Sequence, residues 1–220
     1  FHHEMAQVPR PPDYVVFYCD LPPANGGETP LILSHQVYRF ARDHHGAFMQ
    51  RVEELGVKYV RIMPAEDDPS SAIGRSWKST FQVTTRDDAE TVMRELGTTW
   101  EWLDSGNLKT VTATVPAIRQ DLRTGHKTFF NSMIAAYTGW IDSRNDPEKS
   151  IQLGDGSPVD AQAMRSIAEF MRAECVAFHW HKGDVLLLDN QLTMHSRNPF
   201  TPPRRILASV ARAPQASIAQ

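Results

Sequence analysis

Cys175-Val176-Ala177-Phe178-His179-Trp180, then Lys182-Gly183-Asp184, then Val185-Leu186-Leu187-Leu188 reads as strand, tight turn and buried strand, and Arg204 to Val210 repeats the strand signal. β-Branched and aromatic residues fill the runs, while Gly183 supplies the conformational freedom that the turn needs. Short strands joined by turns, with helices outside them, predict a mainly β (α+β) protein, a double-sheet jelly roll or double-stranded β-helix.

Working outward, Tyr14-Val15-Val16-Phe17-Tyr18-Cys19 predicts another buried strand, Pro22 to Gly27 a turn, and Thr29 to Leu33 a short strand. Ser34 is a candidate N-cap for a helix with Val37, Phe40 and Ala41 on one face, and a second helix is expected over Ala47 to Leu55, ending at Gly56. A further helix is expected near Asp87 to Leu96, ending at Gly97, and Thr110 to Val115 alternates like a half-buried strand. Asp160 is a candidate N-cap for a helix whose apolar stripe is Ala163, Ile167, Phe170 and Met171, a stripe that reads as core. Neither repeats nor an interdomain linker interrupt the chain, so one domain over residues 1–220 is expected.

The 220 residues are 41% hydrophobic and 22% charged, enough for one sizeable core. A net charge of -3, with acidic and basic residues interspersed, offers no electrostatic case for nucleic acid or anionic membrane and favours a small-molecule substrate. No apolar run approaches the roughly 18 residues that span a bilayer. Cys19 and Cys175 are too few for a disulfide framework and read as reduced thiols in an intracellular, cytoplasmic protein. The start, Phe1-His2-His3-Glu4 rather than Met, reads as the interior of a strand, so a preceding segment, with any targeting peptide it carries, is expected. Oligomeric state is not readable.

That opening also carries the chemistry. Side chains alternate along a strand, so His2 and Glu4 share a face, and His195 can close a triangle of two imidazoles and one carboxylate. This is the facial ligand set of non-heme Fe(II) oxygenases, which leaves the opposite face of the octahedron open. The same alternation puts His3 on the other face. His179 and His181 could bind a metal from one strand but lack a carboxylate neighbour in sequence, and His44-His45 lies in a charged helical stretch.

His2-x-Glu4, Gly26-Gly27-Glu28-Thr29-Pro30, Trp180-x-x-Gly183-Asp184-Val185 leading to Asp189-Asn190 and His195, and Arg204-Arg205 together resemble the 2-oxoglutarate-dependent taurine dioxygenase (TauD/TfdA) superfamily. More narrowly, the chain is similar to its clavaminate synthase-like branch, to whose plant and microbial members the run from Phe129-Phe130-Asn131-Ser132 to Trp140, Asp142, Ser143 and Arg144 is similar. The resemblance implies that His2, Glu4 and His195 bind Fe(II). It also implies that 2-oxoglutarate chelates the iron and is held by the Thr29 hydroxyl and by Arg205, whose planar fork suits a carboxylate. O2 would be the second co-substrate, and succinate and CO2 the by-products of substrate hydroxylation. Glu4 argues against halogenation, which needs the carboxylate's place on the metal for a halide.

Where relatives carry a second, substrate-binding arginine four residues on, this chain has Ser209, which places the missing charge near the site if Arg205, Leu207 and Ser209 face it. Asn131 and Arg144, in a polar and aromatic cluster with Tyr137 and Trp140, are candidate substrate contacts, with Arg75 and Lys78 as alternative sources of charge. Against this, Arg144 can simply pair with Asp142 or Asp146. Asp189-Asn190 is expected to build the turn before His195. Two rival readings are a non-catalytic jelly-roll binding or sensing module and a zinc hydrolase on the same three ligands. Both leave the arginine unexplained.

Overall fold

The computed structural model describes residues 1–213. Strand β1 (Tyr14–Leu21) is followed by β2 (Leu31–Leu33), α1 (Ser34–His44), α2 (Gly46–Leu55) and β3 (Val57–Met63). The middle of the chain forms α3 (Trp77–Phe81), α4 (Arg86–Glu95), β4 (Thr99–Trp102), β5 (Leu108–Val111), β6 (Arg119–Gln120), β7 (Lys127–Thr128) and α5 (Met133–Gly139). After a short 3-10 turn at Pro147–Lys149 come β8 (Ile151–Leu153), α6 (Ala161–Glu174), β9 (Val185–Asp189), β10 (Thr193–His195) and β11 (Arg205–Ala211). Among the described residues, no helix is long and apolar enough to cross a membrane.

The pairing brings the first and last described strands together. β1 lies between β11 and β9 and is antiparallel to both, so that Phe17 opposes Ala208 on one side and Leu186 on the other. β10 pairs with β2, placing His195 opposite Leu31. A separate four-stranded sheet runs β4-β5-β3-β8. The main core packs α1, α2, α5 and α6 around residues such as Tyr59, Phe129, Ile151 and Met194, and a smaller cluster joins Trp77, Met93 and Leu108.

Local sequence rules explain the helices. Asp160 caps α6 as expected, its carboxylate accepting the N–H groups of Gln162 (2.8 Å) and Ala163 (3.0 Å). Ala163, Ile167 and Met171 are buried, and Phe170 stacks on Phe40 with ring centroids 4.1 Å apart. Asp160→Ala should therefore lower stability by about 1 kcal/mol, read as a lower urea midpoint at unchanged slope. A change under about 0.3 kcal/mol would show that backbone packing alone holds the helix end. Ser34, by contrast, is the first helical residue rather than the cap, and its hydroxyl donates to the Leu192 carbonyl (2.9 Å), tying α1 to the turn before β10.

Four strand expectations change, the first at Thr110 to Val115, where the strand ends at Val111. Cys175 to Trp180 is not a strand: Val176 makes one bridge to Leu31, and β2 is too short to pair with the rest. β9 forms, but only Leu188 on it is buried, with Val185 and Leu187 exposed on the outward face. β1 is likewise half-buried, Val15 and Cys19 facing in and Tyr18 facing out.

Candidate metal centre

The backbone of His2 joins that of His195 by two reciprocal hydrogen bonds, each 3.0 Å, so the two imidazoles stand side by side with ring centroids 4.3 Å apart. Strand geometry ends there. Glu4 begins a turn, with Met5 in the left-handed region at φ 53, so the expected extended run from Phe1 to Glu4 stops short of the carboxylate. The turn still delivers it: Glu4 Oε2 lies 3.7 Å from His2 Nε2 and 3.5 Å from His195 Nε2. These separations exceed a hydrogen bond, yet one ion about 2 Å from each atom spans them. Among the described residues this is the one group of three metal-capable side chains whose ligand atoms all lie within 4.8 Å.

The protonation states suit a cation. The imidazoles, His195 foremost, hold the Glu4 carboxyl well below the usual carboxylate range, while burial lowers the His195 pKa. An ionised carboxylate is the form that coordinates metal, and a lowered imidazole pKa favours the ring form that does so. His3 turns away as expected. Fully buried, it stacks on Phe130 at 4.3 Å and its Nδ1–H donates to the Asn190 carbonyl at 2.5 Å. Burial lowers its pKa to about 3, so it adds no positive charge beside the site.

A pocket of about 200 Å3 adjoins the triad, walled by His2, His195, Phe17, Thr29, Arg204 and Ile206. Phe17 meets His195 edge-on at 5.2 Å, and the indole N–H of Trp180 donates to Thr29 Oγ1 at 3.1 Å, fixing the hydroxyl in the wall. Arg204 reaches the pocket along Gly27, donating from Nε to its carbonyl at 3.0 Å, with its guanidinium 5.5 Å from the Phe200 ring centre. Gly27 has φ +72, and a Cβ there would stand 2.7 Å from Pro23 and 3.0 Å from Arg204, so only glycine leaves the arginine this path. A larger cleft of about 840 Å3 opens beside Phe1 and His2, with Ile134, Ala168, Arg172 and Arg197 in its walls and no carboxylate among them.

Four expected contacts lie elsewhere. Arg205 is two-thirds exposed and pairs with Asp20, because Ile206 faces the pocket and alternation turns its neighbour outward. Ser209, on the same face as Arg205, is exposed; the residue four beyond Arg204 is Ala208, equally uncharged. Asn131 is in the core with its carboxamide committed to Ala117 O (3.1 Å) and Met133 N (3.0 Å). Arg144 is bound by Asp68 at 2.8 Å and Asp142 at 2.5 Å, the local pairing that competes with substrate contact. Lys78 pairs with Glu66, and Arg75 donates to the Ser79 carbonyl. His179 and His181 are mostly exposed, beside Glu28 and Asp184 respectively.

Residues 1–211 match the profile of the family described as taurine catabolism dioxygenase TauD, TfdA family. The chain belongs to the TauD/TfdA family. Within that family setting it is 50% identical, over 96% of its length, to a clavaminate synthase-like protein of Arabidopsis thaliana, and covers 64% of that protein. It is 25% identical to the dapdiamide synthesis protein DdaC of Enterobacter agglomerans, over 93% of this chain and 63% of that one. The chain thus spans less than two thirds of either curated relative.

Two solved structures share the fold of this TauD/TfdA chain. An asparagine oxygenase in complex with Fe(II), 3-hydroxyasparagine and succinate superposes with a TM-score of 0.53 at 15% identity, covering 96% of this chain and 49% of that one. AAD-2 in complex with Mn(II) and N-oxalylglycine gives 0.52 at 14% identity, covering 96% and 67%. The strand-rich jelly roll with flanking helices is the architecture expected from the tail of the sequence.

Proposed function

We propose that this chain is the catalytic domain of an Fe(II)- and 2-oxoglutarate-dependent dioxygenase that hydroxylates a small organic substrate and releases succinate and CO2. The observation that carries the reading is the convergence of His2, Glu4 and His195 beside a pocket that also contains Thr29 and Arg204. Bound by the triad, Fe(II) supplies the redox chemistry that couples oxidative decarboxylation of 2-oxoglutarate by O2 to oxidation of a substrate C–H bond.

The remaining work falls to this chain's own groups. Thr29 offers a hydroxyl to the co-substrate's far carboxylate, and Arg204 offers a charge-assisted fork. Phe17 and Ile206 line the pocket between them and limit water beside the imidazoles. Glu4 would hold the metal where a halogenating site leaves room for a halide, which favours hydroxylation. The substrate is assigned to the larger cleft opening on His2, where Arg172 and Arg197 give an anionic group partners and Ile134 and Ala168 give an apolar body a wall. A zinc hydrolase would need a general base, and among the described residues the side chains lining the two cavities include no carboxylate, and no imidazole beyond those of the triad. A binding module would have no use for a triad facing a cationic pocket.

Arg204→Ala should weaken 2-oxoglutarate binding by about 10- to 100-fold, the worth of a lost charge-assisted pair, while leaving Fe(II) uptake intact. Arg205→Ala should change co-substrate affinity little. Anaerobic titration of the Fe(II) protein with 2-oxoglutarate, followed by its visible charge-transfer band, decides between them. The reverse pattern would return the clamp to Arg205, and no band together with no succinate under air would sink the oxygenase reading.

A further inference from the structure

Glu4 presents a mechanical problem. Its carboxylate must stand at a set distance from two imidazoles, yet its backbone has left the His2 bridge and entered a turn, where no strand partner holds it. The peptide groups on either side of Glu4 are held instead by one side chain, 186 positions away. Asn190 Oδ1 accepts the Glu4 N–H at 2.7 Å, and Asn190 Nδ2 donates to the Glu4 carbonyl at 3.0 Å. The second Nδ2 hydrogen goes to the Pro12 carbonyl at 2.8 Å, the Asn190 N–H donates to Asp13 O at 2.8 Å, and the Asn190 carbonyl takes the His3 Nδ1–H. Asn190 is fully buried, and these bonds use both carboxamide hydrogens and an oxygen lone pair.

We propose that Asn190 is the positioning residue for the metal-binding carboxylate. It stands in for the missing strand neighbour of Glu4 and locks that residue's backbone to the segment that, five residues on, carries His195. The distance between carboxylate and imidazole is then set by one short stretch of chain rather than by two independent ends. Asparagine alone meets the requirement. Aspartate would keep the acceptor but aim its other oxygen at two carbonyls, glutamine is one methylene too long for the same cage, and apolar residues would orphan the Glu4 N–H and C=O in a buried place. The inference rests on the triad being a metal site, and the test separates the two claims.

Apo-protein is titrated with Co(II) alone, recording the dissociation constant and the visible d–d spectrum, for the unaltered chain, His195→Ala, Asn190→Asp and Asn190→Ser. Far-UV circular dichroism and a urea curve establish the conditions under which each is folded. Under those conditions both Asn190 variants should bind Co(II) about 10- to 100-fold more weakly, the usual cost of losing a ligand's outer hydrogen-bond partner, with a changed d–d spectrum. A purely structural asparagine would lower the urea midpoint but leave the folded fraction with unaltered affinity and spectrum, and that result overturns the proposal. Asn190→Ser, which keeps one donor and one acceptor, serves if the aspartate does not fold. Should both variants fail to fold, hydrogen exchange of the Glu4 amide in the unaltered protein decides, because an amide that exchanges at the rate of an open loop is not clamped. If Co(II) affinity and spectrum are the same in the unaltered chain and His195→Ala, it is the triad that fails, and the role of Asn190 falls with it.

Discussion

His195→Ala should leave a folded protein that no longer takes up Fe(II), with succinate formation lost by more than the roughly 100-fold that removing an outer hydrogen-bond partner costs. The residue supplies an Nε2 that faces Glu4 at 3.5 Å, from a side chain almost wholly removed from solvent, so no water-exposed neighbour can substitute for it. Its backbone bridge to His2 does not depend on the ring and should persist, which is why loss of metal is expected without loss of fold. Anaerobic Fe(II) with 2-oxoglutarate read by visible absorbance, alongside far-UV circular dichroism, makes the measurement. An undiminished charge-transfer band in the variant would remove His195 from the ligand set.

Phe129→Ala should be a severe core substitution, at about 3–5 kcal/mol. Phe129 is fully buried in the main cluster and sits at the end of β7, where its N–H donates to the Ser34 carbonyl at 3.1 Å. Emptying that volume leaves a cavity between α1 and the segment leading to Asn131, whose carbonyl accepts the His3 N–H at 3.0 Å. Against a typical total of about 5–15 kcal/mol, the loss is a large fraction of what holds a domain together. Urea unfolding should show a much lower midpoint at similar slope. A loss below about 1 kcal/mol would mean that the surrounding side chains collapse into the space.

The sequence was most readable where two independent patterns agreed. His2, Glu4 and His195 come together as alternation suggested, although Glu4 reaches the site through a turn, because a left-handed Met5 is not visible in residue types. The helix over Ala161–Glu174 was legible from Asp160 and its stripe because cap and period point the same way. Which arginine faces the pocket was not. Arg204-Arg205-Ile206-Leu207-Ala208 carries apolar residues on both faces, so alternation fits either parity, and only the burial of Cys19, Ile206's partner on β1, shows which face is inward. A register shift between Cys19 and Leu21, where Leu21 rather than Asp20 opposes Arg205, occurs at the same place. Asn131 and Arg144 look like recognition residues for a related reason: polar groups in an aromatic setting read alike whether they greet a ligand or satisfy buried backbone, and their committed partners appear only in three dimensions.

The reciprocal bridge between residues 2 and 195 has a consequence for how the protein is born. His2 and Glu4 are separated from His195 by about 190 residues, so nothing resembling a binding site exists on a nascent chain until translation has passed residue 195. An ion held by all three would clasp the loop between residues 4 and 195, whose closure is worth about 5 kcal/mol in the chain-entropy picture of cross-links. Metal uptake would therefore report that residues far apart in the chain have already folded together.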